Sequence, residues 1–191
     1  MSDNGDYDGA AAAATTNSMP DVTKMEDTLM PDTSKGTLLQ FVDGSAEAGY
    51  TWAHKSGTGS ANATVSGGVL KGTHQSSSDT MVLMTSGSLG HTIAATDIVE
   101  VRIKLTSCSV SISSPAQFFW SVASDPTNFT PAGSPVGSNN NLNCASRDYQ
   151  IITFDIGSAA GTVIERIRYD YIAWETAQSA YEIDYIYIGP A

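Results

Sequence analysis

The chain has 191 residues, 41% of them hydrophobic, and a formal net charge of −11, which suits one domain plus an extension. The acidic balance repels phosphate backbones and so excludes nucleic acid as the expected partner, while it tolerates cations and basic protein patches. No basic segment leads into an apolar run, and no apolar stretch approaches bilayer length, so the expectation is a soluble chain made in the cytoplasm, with no membrane partner.

Residues 1–37 read as an extended acidic arm. Seven carboxylates (Asp3, Asp6, Asp8, Asp21, Glu26, Asp27 and Asp32) face only Lys24 and Lys35, so −5 of the net charge belongs here. Such a segment lacks the apolar surface to offset its chain entropy and is expected to take its shape from other molecules. Ala10–Ala14 is too short for a stable isolated helix. Two similar elements follow, Met19-Pro20-Asp21-Val22-Thr23 and Met30-Pro31-Asp32-Thr33-Ser34. Proline disfavours helix in the residue before it, so both read as extended. Met19, Pro20, Val22, Met25, Leu29, Met30 and Pro31 are the candidate partner-binding residues, with the flexible methionines as anchors for a groove.

Strands are expected from residue 38 onwards. Leu38–Val42 ends at the turn signal Asp43-Gly44, and Tyr50–His54 follows. Ala63–Thr73 holds Gly67-Gly68 at its centre, which predicts a hairpin. Thr80–Thr85 is apolar on both faces. Ile98–Leu105 alternates cleanly, with Val99, Val101, Ile103 and Leu105 on one side and Glu100, Arg102 and Lys104 on the other, as in a half-solvated antiparallel strand. Gln117–Val122 carries Trp120, which reads as core. A Pro/Gly/Asn-rich loop is expected over about 125–147, and strands resume at Tyr149–Ile156, Val163–Ile172 and Tyr181–Ile188. About nine strands with regular turn signals and no convincing helix predict an all-β fold. The expected form is an antiparallel two-sheet jelly-roll sandwich over residues 38–191, carrying the arm.

Cys108 and Cys144 lack metal-site or redox-motif spacing. Two separate thiols are the default in a reducing compartment, and one bridge between strands is the alternative. The sequons Asn62-Ala63-Thr64 and Asn128-Phe129-Thr130 carry weight only in a secreted chain.

Several segments carry a resemblance: Gly67-Gly68-Val69-Leu70, Asp97 to Ile103, Phe118-Phe119-Trp120, Ile164 to Asp170 and Glu182 to Ile188. Together they resemble the galactose-binding-like jelly roll shared by many carbohydrate-binding modules and some phage structural proteins, over roughly residues 38–189. The resemblance implies a structural calcium ion near Asp184, with Asp43 or Glu47 close by if the first and last strands pair; calcium takes several hard oxygens. Aromatic faces that could stack on sugar rings are Tyr50, Trp52, Tyr169, Tyr171 and, above all, Trp174 in a loop between strands, with packing in the core as the default for each.

Catalytic signals are weak. Glu100, Glu165, Glu182, Asp155 and Asp170 offer carboxylates, but no spacing selects a pair. His54, His74 and His91 sit in Gly/Ser/Thr-rich stretches without a nucleophile elbow. The expected function is therefore non-enzymatic: a virion or assembly surface protein, such as a tailed-phage head decoration (cement) or fibre component. Its arm, reaching on the order of 100 Å when extended, would dock on neighbouring capsid or tail subunits, with the chain as a homo-oligomer. The alternative is a carbohydrate-binding module or adhesin with a glycan as partner.

Overall fold

The computed structural model describes residues 31–32, 34–41, 50–56, 59–62, 64–74, 80–108, 116–131, 142–172 and 179–191. The arm residues Met19, Pro20, Val22, Met25, Leu29 and Met30 lie outside the described residues, as do Asp43, Glu47 and Trp174. The compact unit is Asp32–Ala191.

It is an all-β jelly-roll sandwich. The strands are β1 (Thr37–Gln40), β2 (Thr51–Ser56), β3 (Gly59–Asn62), β4 (Thr64–Ser66), β5 (Val69–His74), β6 (Thr80–Ser86), β7 (His91–Thr92), β8 (Asp97–Cys108), β9 (Gln117–Val122), β10 (Asp125–Pro131), β11 (Gln150–Asp155), β12 (Val163–Ile164), β13 (Arg166–Ile172) and β14 (Ser179–Pro190). The first sheet runs β11-β8-β14-β5-β4, with β1 also paired to β14; the second runs β10-β9-β13-β6-β2-β3. A two-stranded ribbon of β12 and β7 completes the set, and all pairings are antiparallel.

Period-two alternation builds the core. Along β8, Val99, Val101, Ile103 and Leu105 are fully buried and the residues between them are half-exposed. Val82 and Met84 of β6, Phe118 and Trp120 of β9, Ile152 and Phe154 of β11, and Ile167, Tyr169 and Tyr171 of β13 fill the same core. Each fully buried aliphatic side chain contributes about 1.5–3 kcal/mol. Aromatic rings lock the two sheets together. Phe154 meets Phe118 at 5.7 Å and Tyr169 at 6.1 Å, and Tyr171 meets Tyr181 at 4.4 Å, all between ring centroids.

One break in the alternation matters for function. On β14, Ile183 pairs with Ile103 but Tyr185 pairs with Arg102, so Asp184 is an extra residue opposite no partner. This β-bulge resets the phase. Ile183, Ile186 and Ile188 all stay in the core although an odd number of positions separates the first two. Tyr185 and Tyr187 are thereby turned to the outer face, in register with Arg102 and Glu100.

The Gly67-Gly68 hairpin forms as expected between β4 and β5. Its two glycines have φ of 62° and 73°, the left-handed pair that a two-residue turn between twisted strands requires. Trp120 is core, as expected. Three expectations need correction. The stretch read as loop begins with a strand, β10, which pairs irregularly with β9 despite Pro126 and Pro131; an edge position tolerates proline. Val163–Ile172 is two strands. Between them Glu165 N–H donates to Ser121 O at 2.8 Å and Glu165 O accepts from Leu89 N–H at 2.9 Å, where the chain crosses from the ribbon to the second sheet. The two cysteines are not separate thiols: Cys108 and Cys144 form a disulfide, with Cα atoms 5.5 Å apart. Leu142, 2% exposed, is anchored in the core two residues away and brings Cys144 beside the end of β8.

Candidate functional site

The outer face of the first sheet carries the densest polar arrangement among the described residues. Antiparallel register lays it out in rows. Lys104 of β8 stands beside Glu182 of β14, which stands beside Lys71 of β5. In the next row Ile151 of β11 opposes Arg102, and Arg102 opposes Tyr185. In the third, Thr153 opposes Glu100, and Glu100 opposes Tyr187.

The side chains of these rows are tied to one another. Lys104 Nζ lies 2.6 Å from Glu182 Oε2, and Lys71 Nζ lies 3.5 Å from Glu182 Oε1. Arg102 is ion-paired with Asp184, the bulge residue. The Tyr185 hydroxyl donates to Glu100. Tyr149, just ahead of β11, has the Arg102 guanidinium 4.5 Å and the Lys104 ammonium 4.9 Å from its ring centre, the geometry of cation–π contact. Lys104, Glu182, Arg102 and Asp184 keep between 20% and 27% of their side-chain surface in solvent, which leaves them within reach of a ligand. Ile151, 49% exposed, adds an apolar spot in line with Tyr149.

The electrostatics follow from the pairing. The Lys104 hydrogen bond holds the Glu182 carboxyl below its ordinary range, and the same bond raises the Lys104 ammonium. Partial burial pushes the Tyr149 phenol up. Every cation named here faces a carboxylate, so the face offers donors and acceptors in fixed positions without an unmatched charge.

A short loop delivers Tyr149. Asn143 N–H donates to Gln150 Oε1 at 2.6 Å, and Gln150 Nε2–H donates to Asn143 O at 3.2 Å, so a side-chain amide closes the loop as a backbone pair would. Ala145 N–H donates to Asn143 Oδ1 at 3.0 Å, and the Arg147 guanidinium donates to Cys144 O at 2.6 Å. The disulfide fastens this loop to β8.

The residues singled out from the sequence fall elsewhere. Tyr169 and Tyr171 are 1% and 0% exposed and offer no face to a sugar, a correction of the expectation. They share β13 with the inward Ile167, so the alternation that made a good core strand also took both rings inside. Tyr50 and Trp52 are half-buried against the core, and Trp52 meets Phe41 edge-on at 5.5 Å. Asp184 is engaged with Arg102, and no group of three or more metal-ligating side chains occurs among the described residues.

The carboxylates considered for catalysis are each engaged as well. Glu165 accepts from Ser88 Oγ at 2.7 Å, Asp155 accepts from Gly157 N–H at 2.9 Å, and Asp170 is held by Arg168 at 2.5 Å. His91 bridges Thr37 Oγ1 and Asp97 Oδ2, both at 2.9 Å, and Ala94 N–H donates to the same Asp97 oxygen at 2.9 Å. This cluster joins the start of β1 to the ribbon and to the start of β8. Tyr149 was missed because its only sequence cue, a place two residues before the outward Ile151, needs the β11–β8 register before it means anything.

No family model matches the chain, and no curated protein matches it. Among solved structures it is similar to a mutant of the family 29 carbohydrate-binding module CBM29-2, with a TM-score of 0.49 and 11% identity over 79% of this chain and 89% of that one. It is also similar to the xylan-binding module CBM15 (TM-score 0.44, 13% identity, 82% and 97% covered). A third is the N-terminal cellulose-binding domain of Cellulomonas fimi β-1,4-glucanase C (TM-score 0.42, 13% identity, 82% and 96% covered). The likeness concerns the layout of strands, and no residue of the site is assigned from it.

Proposed function

We propose that the chain is a non-catalytic glycan-binding module and that the outer face of the first sheet is its binding surface. The observation that carries this is the Tyr149 ring set against Arg102 and Lys104, each cation tied to a carboxylate. A sugar presents hydroxyl edges that both donate and accept, and apolar C–H faces that stack on a ring. Arg102, Lys104, Glu182 and Asp184 meet the edges, and Tyr149 with Ile151 meets the faces. The matched charges favour a neutral sugar over a phosphorylated or sulfated one.

The assembly-protein reading depended on the arm, most of which lies outside the described residues. The disulfide favours an oxidising compartment, hence an exported chain, over a particle built in the cytoplasm.

The test is retention on a glycan array, followed by titration with the best-retained sugar. Tyr149→Ala is expected to weaken binding about tenfold or more, a loss of about 1.4 kcal/mol, while Tyr50→Ala leaves it unchanged. A wild-type chain that retains no glycan, or a Tyr149→Ala variant that binds as tightly, overturns the proposal.

A further inference from the structure

The disulfide and the tyrosine are parts of one device. Cys144 is tethered to β8 five positions before Tyr149, and Leu142 is anchored in the core just before it. Between these anchors and β11 the chain makes a loop whose neck is closed by two hydrogen bonds between the Asn143 backbone and the Gln150 side-chain amide, and whose turns are set by bonds from Ala145 N–H to Asn143 Oδ1, Ser146 N–H to Asn143 O, Asp148 N–H to Ser146 Oγ and Arg147 to Cys144 O. Asn143, Ala145, Arg147 and Asp148 are exposed, so packing contributes little to holding this loop. What fixes it at its outer end is the covalent bond to Cys108.

The loop's exit carries Tyr149 onto the binding face, where its ring position relative to Arg102 and Lys104 depends on where the loop leaves off. Both cysteines are half-buried, Cys108 against the edge of the core.

We propose that ligand binding on this face is redox-controlled, with the Cys108–Cys144 bridge as the positioning element for Tyr149. This rests on the glycan-binding reading. Reduction breaks one S–S bond: a dithiol supplies two electrons and two protons, becomes a cyclic disulfide, and leaves two thiols on the protein. The Leu142 anchor and the loop's own hydrogen bonds then hold it without a covalent tie, and the Tyr149 ring samples positions away from the two cations. Preorganisation is lost before any ligand arrives, and affinity falls by the cost of restoring it. Cys108 is in register with Ser179 of β14, but Glu182 and the bulge at Asp184 lie further along that strand and Lys71 lies on β5, all held by the sheet pairing, so that side of the face keeps its geometry.

The experiment compares the full chain oxidised, reduced with dithiothreitol, and reoxidised, with free thiols counted in each state. The probe is the best-retained sugar of the array. Reduction is expected to weaken binding about fivefold or more, at a temperature where the reduced chain keeps its strand circular dichroism, and reoxidation to restore it. The Cys108→Ser, Cys144→Ser double variant should bind like the reduced chain, and Tyr149→Ala should bind alike in both redox states. A reduced, folded chain with two counted thiols and unchanged affinity overturns the redox control. If the oxidised wild type retains no sugar at all, it is the glycan reading that fails. The loop linkage is then decided by hydrogen exchange: faster exchange of the Asn143 and Ala145 amides on reduction, with the Tyr185 to Ile188 amides of β14 unchanged, supports it, and unaltered exchange at those two amides overturns it.

Discussion

β8 and β14 each build two unlike surfaces from the same backbone. Their inner sides are aliphatic and dry: Val99, Val101, Ile103, Leu105, Ile183, Ile186 and Ile188 are all fully buried. Their outer sides carry half-exposed charges, Arg102 paired with Asp184, Lys104 with Glu182 and Glu100 with the Tyr185 hydroxyl, beside the buried rings of Tyr185 and Tyr187. The two surfaces lie a single strand's thickness apart and obey different energetics. Burial of apolar area fixes the inner one, and its tolerance to change is small. The ion pairs of the outer one contribute little to folding, about 0–1 kcal/mol each when partly exposed, and what burial there is on that side comes from Tyr185 and Tyr187. The charges are therefore free to be arranged for a ligand. The bulge at Asp184 serves both surfaces at once, keeping the isoleucines inward while turning Asp184 to Arg102.

The sharpest way to test that division is one substitution on each side. Phe154, fully buried between Phe118 and Tyr169, is expected to cost about 3–5 kcal/mol of unfolding free energy as Phe154→Ala. Glu182→Gln on the outer side removes a charge paired with Lys104 and Lys71 and should cost less than about 1 kcal/mol while it weakens sugar binding. Denaturant titration decides the first quantity and ligand titration the second. Comparable stability losses from the two would erase the distinction drawn between the faces.

The outer ion pair and the buried phenols also answer differently to pH. On the outer side the Glu182 carboxyl is lowered by Lys104, so its contribution is complete above the ordinary carboxylate value and fades as pH falls below it. The Lys104 ammonium is raised, so its contribution is complete below 10.5 and fades above that. Both effects are shallow because the pair is partly solvated. Burial raises the phenols of Tyr169, Tyr171 and Tyr181 on the inner side and those of Tyr185 and Tyr187 on the outer side. The unfolded chain then releases protons near pH 10 that the folded chain retains, so stability drops steeply once pH exceeds that value. Melting temperature against pH should show a plateau from about pH 5 to 10, a gentle acid limb and a steep alkaline one. Tyrosinate absorbance is expected to appear in two stages, with the buried tyrosines ionising only together with unfolding. Ionisation of all eight tyrosines in a chain that still holds its fold would contradict the burial described here.

Much of the inner side is readable from sequence and little of the outer side is. Val99, Val101, Ile103 and Leu105 declare their face by spacing alone, and Gly67-Gly68 declares its turn, because both depend on neighbours a few residues away. The binding face depends on partners distant along the chain: Arg102 with Asp184, Lys104 with Glu182, Tyr149 with both cations. Alternation says that Arg102 and Lys104 point outward but not which strand lies beside them. The bulge hides the matter further, since Ile183 to Ile188 looks like an unbroken strand and gives no local sign that Asp184 is supernumerary. Tyr169 and Tyr171 mislead for the opposite reason. Tyrosine has an amphipathic side chain, and only the packing of the second sheet against the first decides that these two are inside. Cys144 could be placed beside Cys108 only once Leu142 was known to reach the core.

The smallest expected effect tests a flaw in the dry interior. Among the described residues, the hydroxyl of Tyr169 is buried without a hydrogen-bond partner, whereas the hydroxyl of Tyr171 lies 3.3 Å from Ser179 Oγ. Removing a lone buried hydroxyl strands nothing, and removing one of a bonded pair leaves the other buried and unsatisfied. Tyr169→Phe should therefore be neutral or slightly stabilising, within about 0.5 kcal/mol, and Tyr171→Phe should cost about 1–2 kcal/mol because Ser179, 3% exposed, loses its partner. The two substitutions delete the same atom from the same strand, so transfer and cavity effects largely cancel in the difference. Equal losses in a denaturant titration would mean that the Tyr169 hydroxyl is satisfied after all, for instance by a buried water, and that the core of this sandwich is wetter than its aliphatic lining suggests.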